Sequence, residues 1–267
     1  MTPFDGRTIV VTGASQGIGR ALCLELASRR PRLVLAARDA GALGDAAASC
    51  RTRGSEALVV PTDVTDPDAC RHLVRRAVEE FGGIDVLVNN AGIGMVARLD
   101  EVEDLSVFER LMRVNYLGSV YPTYHALPHL VRSRGLIVVI SSLAGLVGVP
   151  TRSGYAATKH AQVGFFDSLR IELRASGVAV TVVAPYFVRS QIRARSAGPD
   201  GLPLPRSPVH ESEIMSAEEC ARGIVRAMEK RQRMLVMTRK GRLGRLVRLL
   251  APGLVDRMAE RAVTRGR

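Results

Sequence analysis

The chain has 267 residues, 46% of them hydrophobic, which suits one α/β domain with a large core better than two domains. No apolar run reaches the ~18 residues of a membrane-spanning helix, and the first residues show no charged segment followed by a long apolar one, which argues against a signal peptide. The formal charge of +12 is uneven: twelve Lys/Arg against three Asp/Glu fall between Glu229 and Arg267, so +9 sits in the last 39 residues and the body is nearly balanced. Cys23, Cys50, Cys70 and Cys220 lack metal-ligand spacing and read as packed, reduced thiols of a cytoplasmic protein; no metal site is expected.

Apolar runs and helical periods alternate along the chain. Strands are expected near 8–12, 33–37, 57–60, 85–89, 136–140, 178–183 and 234–237. Helices are expected near 17–29, 40–53, 67–80, 104–132, 154–175 and 216–231. Most strands are continuous apolar runs, the pattern of a parallel sheet covered on both faces. Asp66-Pro67 reads as an N-cap with proline at the first helical position. Ser216-Ala217-Glu218-Glu219 reads as a capping box. The alternation predicts right-handed βαβ units in one α/β, doubly wound parallel sheet, with ligands at the carboxyl ends of its strands. The body would span 1–237 and a basic helical tail 238–267.

The motifs fall at those strand ends. Gly13-Ala14-Ser15-Gln16-Gly17-Ile18-Gly19 lies where the first strand turns into the first helix. Its glycines let backbone approach a phosphate, and the helix N-terminus offers free N–H groups; a purely structural turn is the plainer reading. The second strand ends in Ala36-Ala37-Arg38-Asp39, where a dinucleotide's adenosine ribose is read. Two alanines followed by Arg38 favour the 2′-phosphate of NADP over the 2′-hydroxyl of NAD, with Asp39 as the contrary sign. Asp63 caps the next turn or meets the adenine edge, and the two are compatible. Asn89 and Asn90 tie backbone across strand ends, contact a cofactor, or both. Asn115, inside the long helix, is either back-bonded or interrupts the helix to hold a water beside Lys159.

Ser142 follows the apolar run 136–140. Tyr155 and Lys159 are four residues apart, on one face of a helix. The cation favours the phenolate, so the tyrosine can give and take a proton at moderate pH, and the serine can hold a carbonyl oxygen beside it.

Together, Thr12-Gly13, Gly17-Ile18-Gly19, Asn89-Asn90-Ala91-Gly92, Asn115, Ser142 and Tyr155/Lys159 resemble the short-chain dehydrogenase/reductase family over about residues 6–237. The resemblance implies a Rossmann-type fold, a dimer or tetramer built on the helices near 104–132 and 154–175, and hydride transfer between a nicotinamide and a carbonyl or alcohol. By the same resemblance Tyr155 would be the general acid/base, and Lys159 would lower its pKa and bind the nicotinamide ribose. Ser142, thirteen residues before the tyrosine, would orient the substrate oxygen, and Asn115 would anchor a relay water. Gly13, Ser15, Gln16, Gly17, Ile18 and Gly19 would line the pyrophosphate, and Asp63 and Val64 the adenine. Asn90, Ala91 and Gly92 would flank the riboses. Pro185, Val188 and Ser190 would lie near the carboxamide. One motif departs from the family: Tyr186 replaces the glycine usual after Pro185, and because a tyrosine at a turn needing unusual φ would be strained, a different local geometry is expected there, with the tyrosine projecting toward substrate.

Leu143 to Pro150, Ile93 to Val96, and a lid from Tyr186 to Met215 should shape a pocket for a lipophilic ketone or alcohol, steroid-like, fatty or aromatic. Other readings are an NAD-dependent alcohol dehydrogenase and a non-catalytic dinucleotide-binding redox sensor. In the tail, Leu243, Leu246, Val247 and Leu250, then Leu254, Val255, Met258, Ala259 and Ala262, form apolar stripes beside arginines, with Pro252 between. Such stripes lie on an anionic membrane surface or pack on the body or another subunit. The absence of aromatic residues in the tail argues against nucleic acid.

Overall fold

Residues that alternate along each strand go to opposite faces of the sheet, and both faces are buried. Ile9, Val11, Leu33, Leu35, Val86, Val88, Leu136 and Val138 enter one core, while Val10, Val34, Leu87, Ile137 and Val139 enter the other. That is why these segments read as unbroken apolar runs. The computed structural model describes residues 3–188, 196–204 and 214–264. In them, β1 (Thr8–Thr12), β2 (Arg32–Ala37), β3 (Glu56–Pro61), β4 (Val86–Asn89), β5 (Leu136–Ile140), β6 (Ala179–Ala184) and β7 (Met234–Val236) form one sheet, ordered β3-β2-β1-β4-β5-β6-β7. Every pairing is parallel.

Helices α1 (Gly17–Ala27) and α2 (Ala40–Arg51) cover one face. Helix α3 (Pro67–Phe81) covers the other. The helix expected near 104–132 is broken. It runs as α4 (Ser106–Leu111), a π-helical turn Met112–Leu117, and α5 (Gly118–Ser133). Pro122 and Pro128 each delete an N–H from the ladder of α5. Helix α6 (Ser153–Glu172) lies beside α5, with Phe166 fully buried against the sheet. Helix α7 (Ala217–Glu229) returns to the α1 side. Its N-cap Ser216 accepts from the Glu219 N–H at 3.0 Å, and Asp66 accepts from the Asp68 N–H at 2.8 Å to cap α3.

The strand order reverses between β1 and β4. Their crossover helices leave to opposite faces, which opens a crevice at the carboxyl ends. The four cysteines are buried and free, and burial raises their thiol pKa values, for example that of Cys70 to about 12.

The tail forms α8 (Arg239–Leu250) and α9 (Pro252–Thr264). It touches the body on one side: Gly241 is buried beside Leu143, and an Arg248 guanidinium N–H donates to the Leu146 carbonyl. Val255 is also buried, yet Leu243, Leu246, Leu250 and Leu254 are 61%, 62%, 91% and 52% exposed. Packing against the body therefore does not account for most of the apolar stripe. Among the described residues, no helix is long and apolar enough to cross a membrane.

Candidate active site

The site begins at the β1–α1 turn. Gly13 and Gly17 have φ of +66° and +56°, a region that disfavours larger residues. A Cβ on Gly19 would come within 2.2 Å of the Gly13 carbonyl oxygen, so only glycine lets the helix start this close to the strand. Gln16 precedes α1 in extended backbone, and its side chain makes no cap. The first N–H groups of the helix are thus left for an anion, and a dinucleotide phosphate fits them. Ser15 and Ile18 lie in the same turn. From β4, Asn90 Nδ2 donates to the carbonyls of Thr12 and Gly13 at 2.9 and 3.1 Å, while the Asn90 and Ala91 N–H groups donate to Thr12 Oγ1. Asn90 is therefore a clamp between β4 and the turn.

Around this turn, Arg38 is exposed at the end of β2 and makes no ion pair among the described residues. Asp39 caps α2, accepting from the Ala42 N–H at 3.0 Å. Asp63 Oδ1 accepts from the N–H and hydroxyl of Thr65. Val64 is buried against Gly118 at the start of α5.

The polar centre lies where β5, α6 and the π-helical turn meet. Lys159 is 3% exposed, and its Nζ donates to the Ile140 carbonyl and to Gln162 Oε1, each at 3.0 Å. Gln162 Nε2 donates to the Asn115 carbonyl at 2.7 Å. The Asn115 side chain is spent on the Ile93 backbone and on Thr158. A Cβ on Gly92 would lie 3.2 Å from Asn115 Oδ1 and 3.7 Å from Lys159 Nζ, so Gly92 leaves open the space beside them. Ser141 donates to the Lys159 carbonyl at 3.2 Å, whereas the Ser142 hydroxyl accepts from the Ala144 N–H at 3.2 Å and lies near enough to the Tyr155 phenol to lower its pKa. Lys159 Nζ is 5.7 Å from the centre of the Tyr155 ring. Burial raises the Tyr155 pKa against the lowering effects of nearby Ser142 and the Arg152 charge. Burial pushes the Lys159 ammonium down to about 7. The two shifts run apart, so in the ligand-free protein the phenol keeps its proton through the range in which Lys159 loses its own.

On the far side, Leu143 donates its N–H to the Pro185 carbonyl at 2.9 Å. Tyr186 is not in the left-handed region, so its turn accommodates the side chain without that strain. Its ring packs on Phe187 at 4.5 Å between centroids. Val188 pairs with Met215, and Ala197 with Met95; Pro199 accepts from the Glu103 N–H, and Gly201 from Arg110 Nη2. The described part of the expected lid is thus fastened to 93–97 and α4. Ser190 and lid positions 189–195 and 205–213 lie outside the described residues.

Residues 7–199 match the family model described as short chain dehydrogenase. The chain belongs to the short-chain dehydrogenase/reductase family. It is 36% identical to an 11-beta-hydroxysteroid dehydrogenase of Pinus massoniana over 260 residues, 95% of this chain and 73% of the relative. It is 32% identical to the Dehydrogenase/reductase SDR family protein 7-like of Dictyostelium discoideum, over 95% and 80% of the two chains. Among solved structures, a short-chain dehydrogenase/reductase of Burkholderia phymatum in complex with NAD superposes with a TM-score of 0.84 at 29% identity, covering 95% of this chain and 96% of that one. An alcohol dehydrogenase of Thermococcus sibiricus complexed with 5-hydroxy-NADP gives 0.72 at 27%, covering 86% and 93%. As a family member, the protein is an oxidoreductase acting on CH–OH/C=O with a nicotinamide cofactor.

Two residues that sequence reasoning passed over belong to this short-chain dehydrogenase site: Gln162, and Arg152, whose Cζ lies 5.8 Å from the Phe187 ring centre. Gln162 carried a signal, because it follows Lys159 by three and so shares its helix face. Arg152 carried none.

The low pKa of Lys159 fixes the sign of a stability effect. Between about 7 and the ordinary lysine value of ~10.4, the unfolded chain binds the proton that the folded chain has released. The ligand-free protein should therefore gain stability as pH rises through that window, with the full penalty present below about 7. Denaturant melts across pH should show this rise, and Lys159→Met should flatten it.

Proposed function

We propose that this protein is an NADP(H)-dependent carbonyl reductase or alcohol dehydrogenase for a lipophilic substrate, with Ser142, Tyr155, Lys159 and Asn115 as its catalytic set. The observation that carries this reading is the buried Lys159, one helical turn on from Tyr155 with its Nζ 5.7 Å from the ring centre, with Ser142 close enough to the phenol to lower its pKa. The bound nicotinamide supplies the hydride. Ser142 and Tyr155 hold the substrate oxygen, and Tyr155 gives it the proton. Lys159 lowers the cost of the phenolate and binds the ribose. Gln162 and the Ile140 carbonyl hold the lysine in place, while Asn115 ties the π-helical turn to Ile93.

The pyrophosphate would rest on Gly13–Gly19, the adenine near Asp63 and Val64, the riboses near Asn90, Ala91 and Gly92, and the carboxamide near Pro185, Val188 and Ser190. The preference for NADP is supported by Arg38, exposed without an acidic partner among the described residues, while Asp39 is occupied as a helix cap. The lipophilic substrate is supported by Leu143, Tyr186 and Phe187 near the site and by relatives named 11-beta-hydroxysteroid dehydrogenase.

Two surfaces remain. Tyr124 of α5 and Ile171 of α6 are 72% and 73% exposed, and a homodimer or homotetramer would cover them. The exposed leucines of α8 and α9, flanked by arginines, suit peripheral contact with an anionic membrane.

Tyr155→Phe should abolish turnover of lipophilic ketones while leaving NADPH affinity largely intact; normal turnover would remove the catalytic assignment. Arg38→Asp should move the ratio of NADPH to NADH affinity toward NADH, as titration of each cofactor would show. In flotation on anionic vesicles, the full chain should rise with the lipid and a chain ending at 238 should not; equal flotation would exclude the tail as the anchor.

A further inference from the structure

Arg152 precedes Tyr155 by three residues and stands at the start of α6, away from the dinucleotide-binding turn. It is half-buried, lying over Phe187, and among the described residues no carboxylate or carbonyl accepts from its guanidinium. Other arginines of the body have such partners: Arg7 pairs with Asp85, Arg29 with Glu25, Arg170 with Asp167. A cation withdrawn from water without an anion is unfavourable, and burial does lower the Arg152 pKa. The backbone that presents it is strained as well. Thr151 is β-branched yet has φ of +64°, and the Ala97 N–H holds its carbonyl at 2.9 Å. The Gly13–Gly19 turn and Arg38 belong to the ends of β1 and β2, so neither the pyrophosphate nor a 2′-phosphate calls for Arg152.

We propose that Arg152 is the anion-binding residue of the substrate site, and that the substrate is an amphiphilic oxo-acid or hydroxy-acid. Its carboxylate bonds the guanidinium, its apolar body lies against Tyr186 and Phe187, and its carbonyl or hydroxyl reaches Tyr155. A guanidinium over an aromatic face keeps its N–H edge free, and that edge matches a carboxylate in two parallel hydrogen bonds. The redox step is the one already described: the nicotinamide's hydride goes to the carbonyl carbon and the Tyr155 proton to its oxygen. The proposal deepens the reading of the site as a carbonyl reductase and rests on it for the orientation of substrate.

Calorimetric titration of the NADPH-loaded protein with para-acetylbenzoate and para-acetylbenzamide tests it. The carboxylate should bind ~10–100-fold tighter than the amide, the range expected of hydrogen bonds to a charged group. Arg152→Met, which keeps an apolar stem over Phe187, should erase that preference, and Arg152→Lys should keep part of it. Equal binding of the two probes, binding of neither, or a preference that survives in Arg152→Met overturns the proposal. So does an Arg152→Met variant that shifts the pH profile of amide reduction but leaves relative binding unchanged, because Arg152 would then act only on the Tyr155 pKa. Reduction of the amide, followed at the nicotinamide absorbance, separates this from the underlying reading. Turnover of the amide without carboxylate preference overturns the Arg152 proposal alone. Carboxylate-selective binding without turnover supports Arg152 and counts against the reductase.

Discussion

A single buried ammonium ties the site together. Lys159 donates to the last carbonyl of β5 and to Gln162, and Gln162 donates to the Asn115 carbonyl in the π-helical turn. Three elements far apart in the chain thus meet in one hydrogen-bonded network. A lysine taken out of water is tolerated only where its protons find acceptors. Moving the end of β5, the turn of α6 or the π-helical segment would leave one of those groups unpaired. The same burial that makes the network necessary lowers the lysine pKa to about 7.

The sheet provides the second half of the site. Its order reverses between β1 and β4, and Asn90 bridges the two strand ends by bonding the carbonyls of Thr12 and Gly13. Gly19 and Gly13 approach so closely that no side chain fits between them. The turn between β1 and α1 is therefore held from the strand beside it as well as by its own glycines. Gly92 continues the segment from Asn90 to the space beside Lys159, so one short stretch reaches both the β1–α1 turn and the buried lysine.

The regular elements were legible because period and composition act locally. All seven strands lie within a residue of their expected bounds at either end, since a strand buried on both faces must be apolar throughout. The helix near 104–132 was expected as one span, with an interruption at Asn115 as one of two readings, and it is interrupted there. Its π-helical turn opens where Asn115 spends its side chain on Ile93 and Thr158, partners that only the folded chain supplies. The tail's stripe was legible as a pattern, but a pattern does not say what covers it; the body leaves most of it exposed. Tyr186 was expected to change the geometry of its turn, and its backbone stays out of the left-handed region.

The sequence by itself determined the family, the sheet, the order of the motifs and the placing of Tyr155 and Lys159 on one helix, because each depends on residue type at short spacing. Tertiary structure decided which polar groups are already spoken for. Asp39 proved to be a cap, Ser141 bonds the Lys159 carbonyl while Ser142 accepts from the Ala144 N–H, Gln162 bridges Lys159 and Asn115, and Arg152 has no anion among the described residues. A hydrogen bond between distant residues leaves no mark on local sequence, since either partner alone is an ordinary polar side chain. Only the fold shows which of them still has a bond to give.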